Sequence, residues 1–543
     1  MTTQIAEALR AVLSADAVVT DPETLDTYAH DDAEWAPYGQ PAAVVFATCL
    51  DDVVTCVRTA RTFHVPVVPR GAGSGLSGGA NATAGCLVLS LEKMTRITEV
   101  NVAERYAVVE AGVINDDLRQ HVATCGLWYP PDPASMSIST IGGNVATNAG
   151  GLCCVKYGVT RDYVLGVTVV LPDGSVAKLG RTTAKGVTGY DLTALMVGSE
   201  GTLGIIVDVT VKLRPLAGRE ERAIIGYFGS LTDAGMAVAA VTGAGIVPSS
   251  LELIDRICIQ TVAEWQGWDL PQNANALLLA KVDEPGEAGD VLADRVAGLF
   301  AESGGFEVER AADPVEIDRL FLARRLAYPS LERLSPVLTE DVVVPRGAVP
   351  EMLRRIEQIA LDHDVTIANI AHAGDGNLHP LILTPAGDDA ARTRAKAAFD
   401  HIVDACQDLG GTVTGEHGVG LLKLAGMAKE FSPVVLGMHA AVKRALDPDG
   451  VLNPGKAFPE VSAWRHCSRT TAYASTTPST AIRLVAPSYS SPASRLRRPA
   501  GSTRCPRSRR PATACWRSTS AATASLSGQR RSTWIVEVWT YGT

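Results

Sequence analysis

No segment of this 543-residue chain stays apolar over the roughly 18 residues that a bilayer-spanning helix requires. The amino terminus has no cationic start and no long apolar run either. Ile5, Leu9, Val12 and Leu13 recur there at helical spacing, which predicts a surface helix and not a signal peptide. The eleven cysteines include no CxxC pair and no ferredoxin-type run, only the adjacent Cys153 and Cys154. Iron–sulfur clusters and zinc ribbons are thereby excluded. Scattered thiols without a leader predict a reducing, cytoplasmic setting, with peripheral attachment at the inner face of a membrane as the other option. No internal repeat is present. The first 460 residues are also short of positive charge. The whole chain carries 49 basic and 59 acidic side chains, but thirteen arginines lie beyond residue 460, with no Lys, no Asp and only Glu537. What remains is 36 basic against 58 acidic groups, a net charge of −22. A body this acidic gives nucleic-acid binding no support.

The chain is long enough for two or three hydrophobic cores. Residues 1–35 read as helical. From 41 to 215, short apolar runs alternate with Gly, Pro and Asn: PAAVVFA, VPVVPR, GCLVLSL, YAVVEAGV, VLGVTVVLPDGSV and GTLGIIVDVTVKL. They are too short and too β-branched for buried helices, and predict a strand-rich first domain. A break follows Arg214-Pro215. Residues 222–365 mix strands such as RAIIGYF and ALLLAKVD with helical stretches, and predict one antiparallel sheet with helices on one face. VTIANIAHAGDGNLHPLIL reads as two strands around a glycine-rich turn, followed by helices over 388–408 and 421–446. The fold class is therefore α+β.

Gly73-Ser74-Gly75-Leu76-Ser77-Gly78 matches GxGxxG, but the residues after it, GANATAGCLVLSL, are poor helix formers leading into a strand. A Rossmann site needs a helix there to receive the pyrophosphate. The loop is then either a plain turn or a nest of backbone N–H groups converging on a phosphate, with Arg70 adding charge. Two further small-residue loops decide between these. One runs from Pro130 through Ser135 to Thr140-Ile141-Gly142-Gly143-Asn144 and Thr147; the other is Val197–Ile206. Three such loops in one strand-rich domain point to a ligand as long as a dinucleotide, threaded between backbones.

PRGAGSGLSGGA, PDPASMSISTIGGNVATNAGG and VGSEGTLGII resemble the FAD-binding loops of the vanillyl-alcohol-oxidase-type (PCMH) flavoproteins. Within these, the chain is most similar to the group of D-lactate dehydrogenase (cytochrome) and the flavin subunit of glycolate oxidase. The likeness runs over about residues 15–458. It implies a PCMH-type FAD-binding domain of two α+β subdomains at 1–217 and a ferredoxin-like α+β substrate cap at 218–420. A helix and loop at 421–459 would return to the first domain. The implied cofactor contacts are Arg70, Gly71, Ala72, Gly73, Ser74, Gly75, Ser77, Pro130, Asp132, Ser135, Thr140, Gly142, Gly143, Asn144, Thr147, Glu200, Gly204, Ile205, Ile206 and Asn453. In many relatives a histidine of the first loop holds the flavin covalently. Here Gly71-Ala72-Gly73-Ser74 offers neither His nor Cys, which implies non-covalent FAD.

His372-Ala373-Gly374-Asp375-Gly376-Asn377-Leu378-His379 sets two imidazoles around a short turn, and Glu416-His417 lies in the glycine-flanked loop Gly415–Gly420. Three nitrogen and oxygen donors with an open position make a catalytic metal site, typically for zinc. By resemblance, His372, His379 and Glu416 hold the divalent metal and His417 is the general base. Oxidising a 2-hydroxy acid removes the O–H proton as hydride leaves the same carbon. A metal on that oxygen lowers its pKa, and an imidazole can accept the proton. Arg324, in LFLARRLAYP, aligns with the arginine that binds the substrate carboxylate, and Arg325 is the alternative.

The implied reaction oxidises a small D-2-hydroxy acid, D-lactate or glycolate, to the 2-oxo acid by hydride transfer to flavin. A quinone, a cytochrome or a partner subunit would then take the electrons. D-2-Hydroxyglutarate dehydrogenases of the group have a lysine where this chain has Thr339 and an asparagine where it has Leu381, so a pocket for a distal carboxylate is not expected. A non-catalytic FAD-binding subunit would have lost the metal and base residues, and all four are present. Residues 460–543, rich in Ser, Thr, Ala, Pro and Arg, read as a disordered tail. Arginine without lysine is what out-of-frame reading of GC-rich coding DNA yields, so a frameshift is the leading expectation. A basic tail that binds anionic lipid or an acidic partner is the alternative.

Overall fold

The computed structural model describes residues 2–458 apart from Ala15, Ala217 and Arg219, so the predicted tail lies outside the described residues. The stretch read as helical over 1–35 holds only two short helices, Thr2–Arg10 and Pro22–Thr27, with strand Val18–Val19 between them. Asp21 caps the second by accepting from the Thr24 N–H at 2.9 Å. Beyond it the chain unwinds because residues 31–36 are needed elsewhere. The Asp31 carboxylate accepts from the Ala33 and Ala80 N–H groups, and the Asp32 N–H donates to Gly73 O, so this segment lies along the glycine loop.

Two sheets make the strand-rich part. The first has four strands in the order Val18–Val19, Ala43–Phe46, Leu87–Ser90 and Val67–Arg70, the last three parallel. The second is antiparallel, in the order Ile97–Asn101, Tyr106–Glu110, Ile205–Lys212, Val164–Val170 and Val176–Gly180. Ala111, Val170, Ile205 and Val207, at one end of the middle strands of the second, join Val45, Val67, Leu87 and Leu89 of the first in one buried cluster. The three glycine-rich loops emerge where the two sheets meet.

From Arg222 onward an eight-stranded antiparallel sheet takes over. Its first four strands, Arg222–Phe228, Ser250–Asp255, Ala276–Val282 and Phe306–Ala311, lie in the order 4-1-3-2, and helices Leu231–Gly243 and Gly286–Glu302 share one face. That is the ferredoxin-like arrangement. Strands Thr366–His372, Asn377–Leu383 and Val337–Thr339 extend it. The expectation of helices on one face only is corrected. Leu278 and Ala280 pack on the helices just named and on Val349–His363 and Asp389–Asp408, while Leu277 and Leu279 pack on Arg256–Gln266 and Pro314–Glu332. A sheet covered on both faces is built from unbroken apolar runs such as ALLLAKV, not from alternation. The stretch read as one helix over 421–446 is two, Leu424–Glu430 and Pro433–Leu446, because Ser432 caps the second and Pro433 opens it.

The chain then returns to its beginning. Val67 N–H donates to Val451 O and Asn453 N–H to Val67 O, each at 2.8 Å, which adds residues 451–453 to the outer edge of the first sheet.

Candidate active site

The first loop leaves strand Val67–Arg70 and turns on Gly73, at φ +81°. A Cβ there would lie 2.0 Å from Arg70 Nη2, and one at Gly71 would lie 2.3 Å from Thr140 Oγ1. At Gly73 the positive φ calls for glycine, and at Gly71 the close Thr140 hydroxyl does. The second loop enters the short helix Ile141–Thr147, whose Thr140 hydroxyl accepts from the Gly143 N–H at 3.2 Å. In the third, Gly201 backs onto Pro69, where a Cβ would come within 2.4 Å. The three loops thus touch one another and enclose a cavity of about 790 Å³. That is within the roughly 300–1,000 Å³ usual for cofactor pockets.

Nearly every residue expected to contact the cofactor lines this cavity, from Arg70 through Ser77, and from Asp132 through Thr147, to Glu200 and Ile206. Two expected contacts do not. Pro130 is turned inward, where its carbonyl accepts from Arg119 Nη1 at 3.1 Å. Asn453 lies behind the wall, its amide donating to Gly79 O and Glu200 O at 2.9 and 2.7 Å. Glu200 points across to the other half of the protein. Its carboxylate accepts from the Val419 and Gly420 N–H groups at 2.7 and 2.8 Å, and burial pushes its pKa up to about 7.

The far end of the same cavity is lined by Arg324, His372, His379, Glu416 and His417. His372 and His379 sit on adjacent antiparallel strands in the register Ile370↔His379 and His372↔Asn377, so they project diagonally from one face. Glu416 Oε1 lies 3.3 Å from Nε2 of each. His417 stacks on His379 with ring centroids 5.0 Å apart. The loop carrying Glu416 and His417 is fixed from two sides. Ser77 Oγ donates to His417 O at 3.0 Å, and Asp341 Oδ2 accepts from the N–H groups of Gly415, Glu416 and His417 at 2.9 to 3.1 Å. Asp341 is balanced by the buried Lys423, which also pairs with Glu340 at 2.8 Å.

These groups suit a cation. Burial opposes charge on His372, but Glu252 and Glu416 outweigh it and raise its pKa well above the ordinary histidine value. Burial likewise opposes ionisation of Glu416, and the two histidines outweigh it and hold its pKa well down. His372, His379 and Glu416 offer three ligand atoms within 4.8 Å of one another. Asp341, His379 and His417 form an overlapping group. His417 differs, for burial lowers its pKa to about 4 despite Asp341, so it is neutral at ordinary pH.

Arg324 is buried, while Arg325 is exposed and paired with Asp318 at 3.0 Å, although both reach the cavity. Sequence reasoning missed Glu252, Asp341 and Lys423 as members of the site. Glu252 left one signal, an acid at an inward-facing position of the apolar strand Ser250–Asp255.

A glycine-walled cavity that ends at imidazoles, carboxylates and an arginine defines a cofactor-dependent oxidoreductase. The FAD binding domain family matches residues 41–180, and the C-terminal domain of FAD linked oxidases matches 219–457. The glycolate oxidase subunit GlcD of Bacillus subtilis (strain 168) is 38% identical over 448 residues, 81% of this chain and 95% of that one. The D-lactate dehydrogenase of Anaerostipes hadrus is 34% identical over 467 residues, 84% and 97% of the two chains. In fold, the structure of p-cresol methylhydroxylase with substrate bound is similar at a TM-score of 0.71, with 19% identity, covering 85% of this chain and 97% of that one. The chain belongs to the FAD-linked oxidase family and is an FAD-linked oxidoreductase. Among the described residues no helix is long and apolar enough to cross a membrane.

Proposed function

We propose that this protein is an FAD-dependent dehydrogenase of a small D-2-hydroxy acid, D-lactate or glycolate, with its cofactor held non-covalently. The observation that carries this reading is the single cavity joining the glycine loops to Arg324, His372, His379, Glu416 and His417. Bound FAD would supply the acceptor for the hydride leaving C2 of the substrate. A divalent metal, zinc by the nature of the donors, would be held by His372, His379 and Glu416 and would polarise the substrate hydroxyl. Neutral His417 takes the hydroxyl proton, and Arg324 anchors the carboxylate through its planar fork. The loops at 70–77, 132–147 and 200–206 hold the cofactor by backbone contact.

The domain division proposed is a flavin-binding part to residue 217, a substrate cap to 420 and a returning segment to 459. Electrons then pass to a quinone, a cytochrome or a partner subunit. A short substrate is favoured by Thr339 and Leu381, direct cross-strand partners that both line the cavity and carry no charge. The cations nearby, Lys281 and Arg325, already face Glu221 and Asp318. A substrate screen with a dye acceptor tests this. D-lactate or glycolate should give a higher kcat/KM than D-2-hydroxyglutarate, and the reverse ranking would sink the reading. Acid precipitation should release the flavin into solution, because the first loop has no residue to bond it.

A further inference from the structure

Glu252 lies one layer behind the cavity and does not line it. It is fully buried in the strand Ser250–Asp255. Both its oxygens lie within hydrogen-bond distance of His372 Nδ1, at 3.0 and 2.9 Å, and Oε2 also accepts from Arg324 Nε at 2.8 Å. All its recorded partners are residues of the site. A buried carboxylate that merely needed charge balance could have used Arg324 alone. This one spans one side chain from each end of the proposed substrate, His372 on the hydroxyl side and Arg324 on the carboxylate side.

We propose that Glu252 is a positioning residue that sets His372 and Arg324 as one unit, and so fixes the spacing between a ligand of the metal that would polarise the substrate hydroxyl and the group that meets the substrate carboxylate. This rests on the reading of the site given above. The geometry acts on each partner separately. A carboxylate at Nδ1 holds a proton on that nitrogen, so Nε2 is the ring atom that would face a metal beside Glu416 and His379. On Arg324 the engaged atom is Nε, so the end pair Nη1 and Nη2 stays available for bidentate pairing, and no protein hydrogen bond to either is recorded among the described residues. In a 2-hydroxy acid the hydroxyl and the carboxylate sit on adjacent carbons. Two binding groups that share one buried support cannot drift apart, and they match that vicinal pattern better than they match a hydroxyl remote from any carboxylate.

The test uses the full-length, FAD-loaded protein and two readouts that do not depend on turnover. One is zinc retained per chain after loading and dialysis. The other is pyruvate binding, followed by the change it causes in the flavin spectrum. Glu252→Gln keeps the volume but presents a donor to one of two donors. It should lower zinc retention and pyruvate affinity together, each by tenfold or more, with flavin content unchanged. Glu252→Asp should recover part of both. Pyruvate binding is compared in zinc-free protein as well: there Glu252→Gln and Arg324→Lys should still weaken it, Arg324→Lys should retain zinc, and His372→Gln should lose zinc while matching zinc-free wild type in pyruvate affinity. If Glu252→Gln does not accumulate as folded protein, Glu252→Asp carries the test, and wild-type zinc and pyruvate binding in it would overturn the proposal. So would a Glu252→Gln protein that loses one readout and keeps the other. A wild-type protein that neither retains zinc nor responds to pyruvate would overturn the reading of the whole site along with it.

Discussion

The two walls of the cavity hold ligands by different means. The wall made by residues 69–80, 132–147 and 200–206 is mostly glycine and backbone, and its shape depends on missing Cβ atoms. The facing wall, on the eight-stranded sheet and the helix and loop beside it, presents buried and half-buried ionisable side chains that compensate one another. The first wall can bind a long ligand mainly through backbone, with Arg70, Asp132 and Glu200 as its few charged members. The second can place charge to a fraction of an ångström, but only by burying a network in which no member stands alone. Damage should therefore look different on the two sides. On the flavin side a substitution should cost affinity, and on the sheet side it should cost chemistry and stability together.

The largest effect is expected at Asp341, whose removal leaves Lys423 short of one partner and frees three N–H groups of the His417 loop. Asp341→Asn should lower stability by about 3–5 kcal/mol, as when one partner of a buried ion pair is deleted. Urea or thermal melts would show it, and an unchanged midpoint would mean that Asp341 is dispensable to the network. His417→Ala comes next. A loss of ~10²-fold or more in turnover with the flavin spectrum intact is expected of a general base. Turnover within a few-fold of wild type would assign the proton to another group. On the opposite wall, Gly73→Ala should weaken FAD binding by about tenfold or more, an estimate that follows from its positive φ and blocked Cβ position. It should leave the melting of the ligand-free protein little changed, and a melt as damaged as that of Asp341→Asn would erase the contrast between the walls.

A subtler effect concerns pH. Because burial holds the His417 pKa near 4, the base stays neutral as pH falls through the ordinary histidine range. The acid limb of kcat/KM should then appear well below pH 6.5, the usual histidine value, since that limb reports groups of the free enzyme. A limb at 6 to 7 that disappears in His417→Ala would contradict the assignment. The smallest effect is expected from truncation after Pro459, which should leave flavin content and activity as they were. If that protein fails to bind FAD, the last residues belong to the enzyme.

The same contrast governs what could be read from the sequence. The glycine loops were legible because each glycine answers a local demand of backbone geometry, and local demands leave local patterns. His372, His379, Glu416 and His417 were legible because they sit in two compact glycine-flanked turns. Glu252 was hidden by its surroundings, since an acid between Leu251 and Leu253 resembles the outward position of an alternating strand until Arg324, on helix Pro314–Glu332, is seen to pair with it. Asp341 and Lys423 were hidden for another reason. Their partners include backbone groups 74 to 82 residues away in the chain, and such partners carry no sequence signature. Pro130 stands in a motif that walls the cavity, and Asn453 in a segment that backs that wall, and both act from behind. The second layer of helices on the eight-stranded sheet follows from runs without alternation, which by themselves do not separate a strand buried on both faces from part of a helix.

The return of residues 451–453 to Val67 also sets a timetable for synthesis. Strand Val67–Arg70, from which the first glycine loop springs, is an edge strand of its own sheet and receives its outer neighbour only from residues 451–453. Lys443 Nζ donates to Thr202 O at 2.7 Å, and Ala457 N–H donates to Gly420 O at 3.0 Å, so the same late segment also buttresses the third loop and the His417 loop. On a growing polypeptide that edge stays bare until Leu452 has emerged, even though the strand itself was among the first to be made. The nascent flavin-binding half therefore leaves the ribosome unfinished, with an open strand edge of the kind that invites wrong pairing. Cofactor loading then waits on the arrival of residues 451–457, long after the first glycine loop has been made.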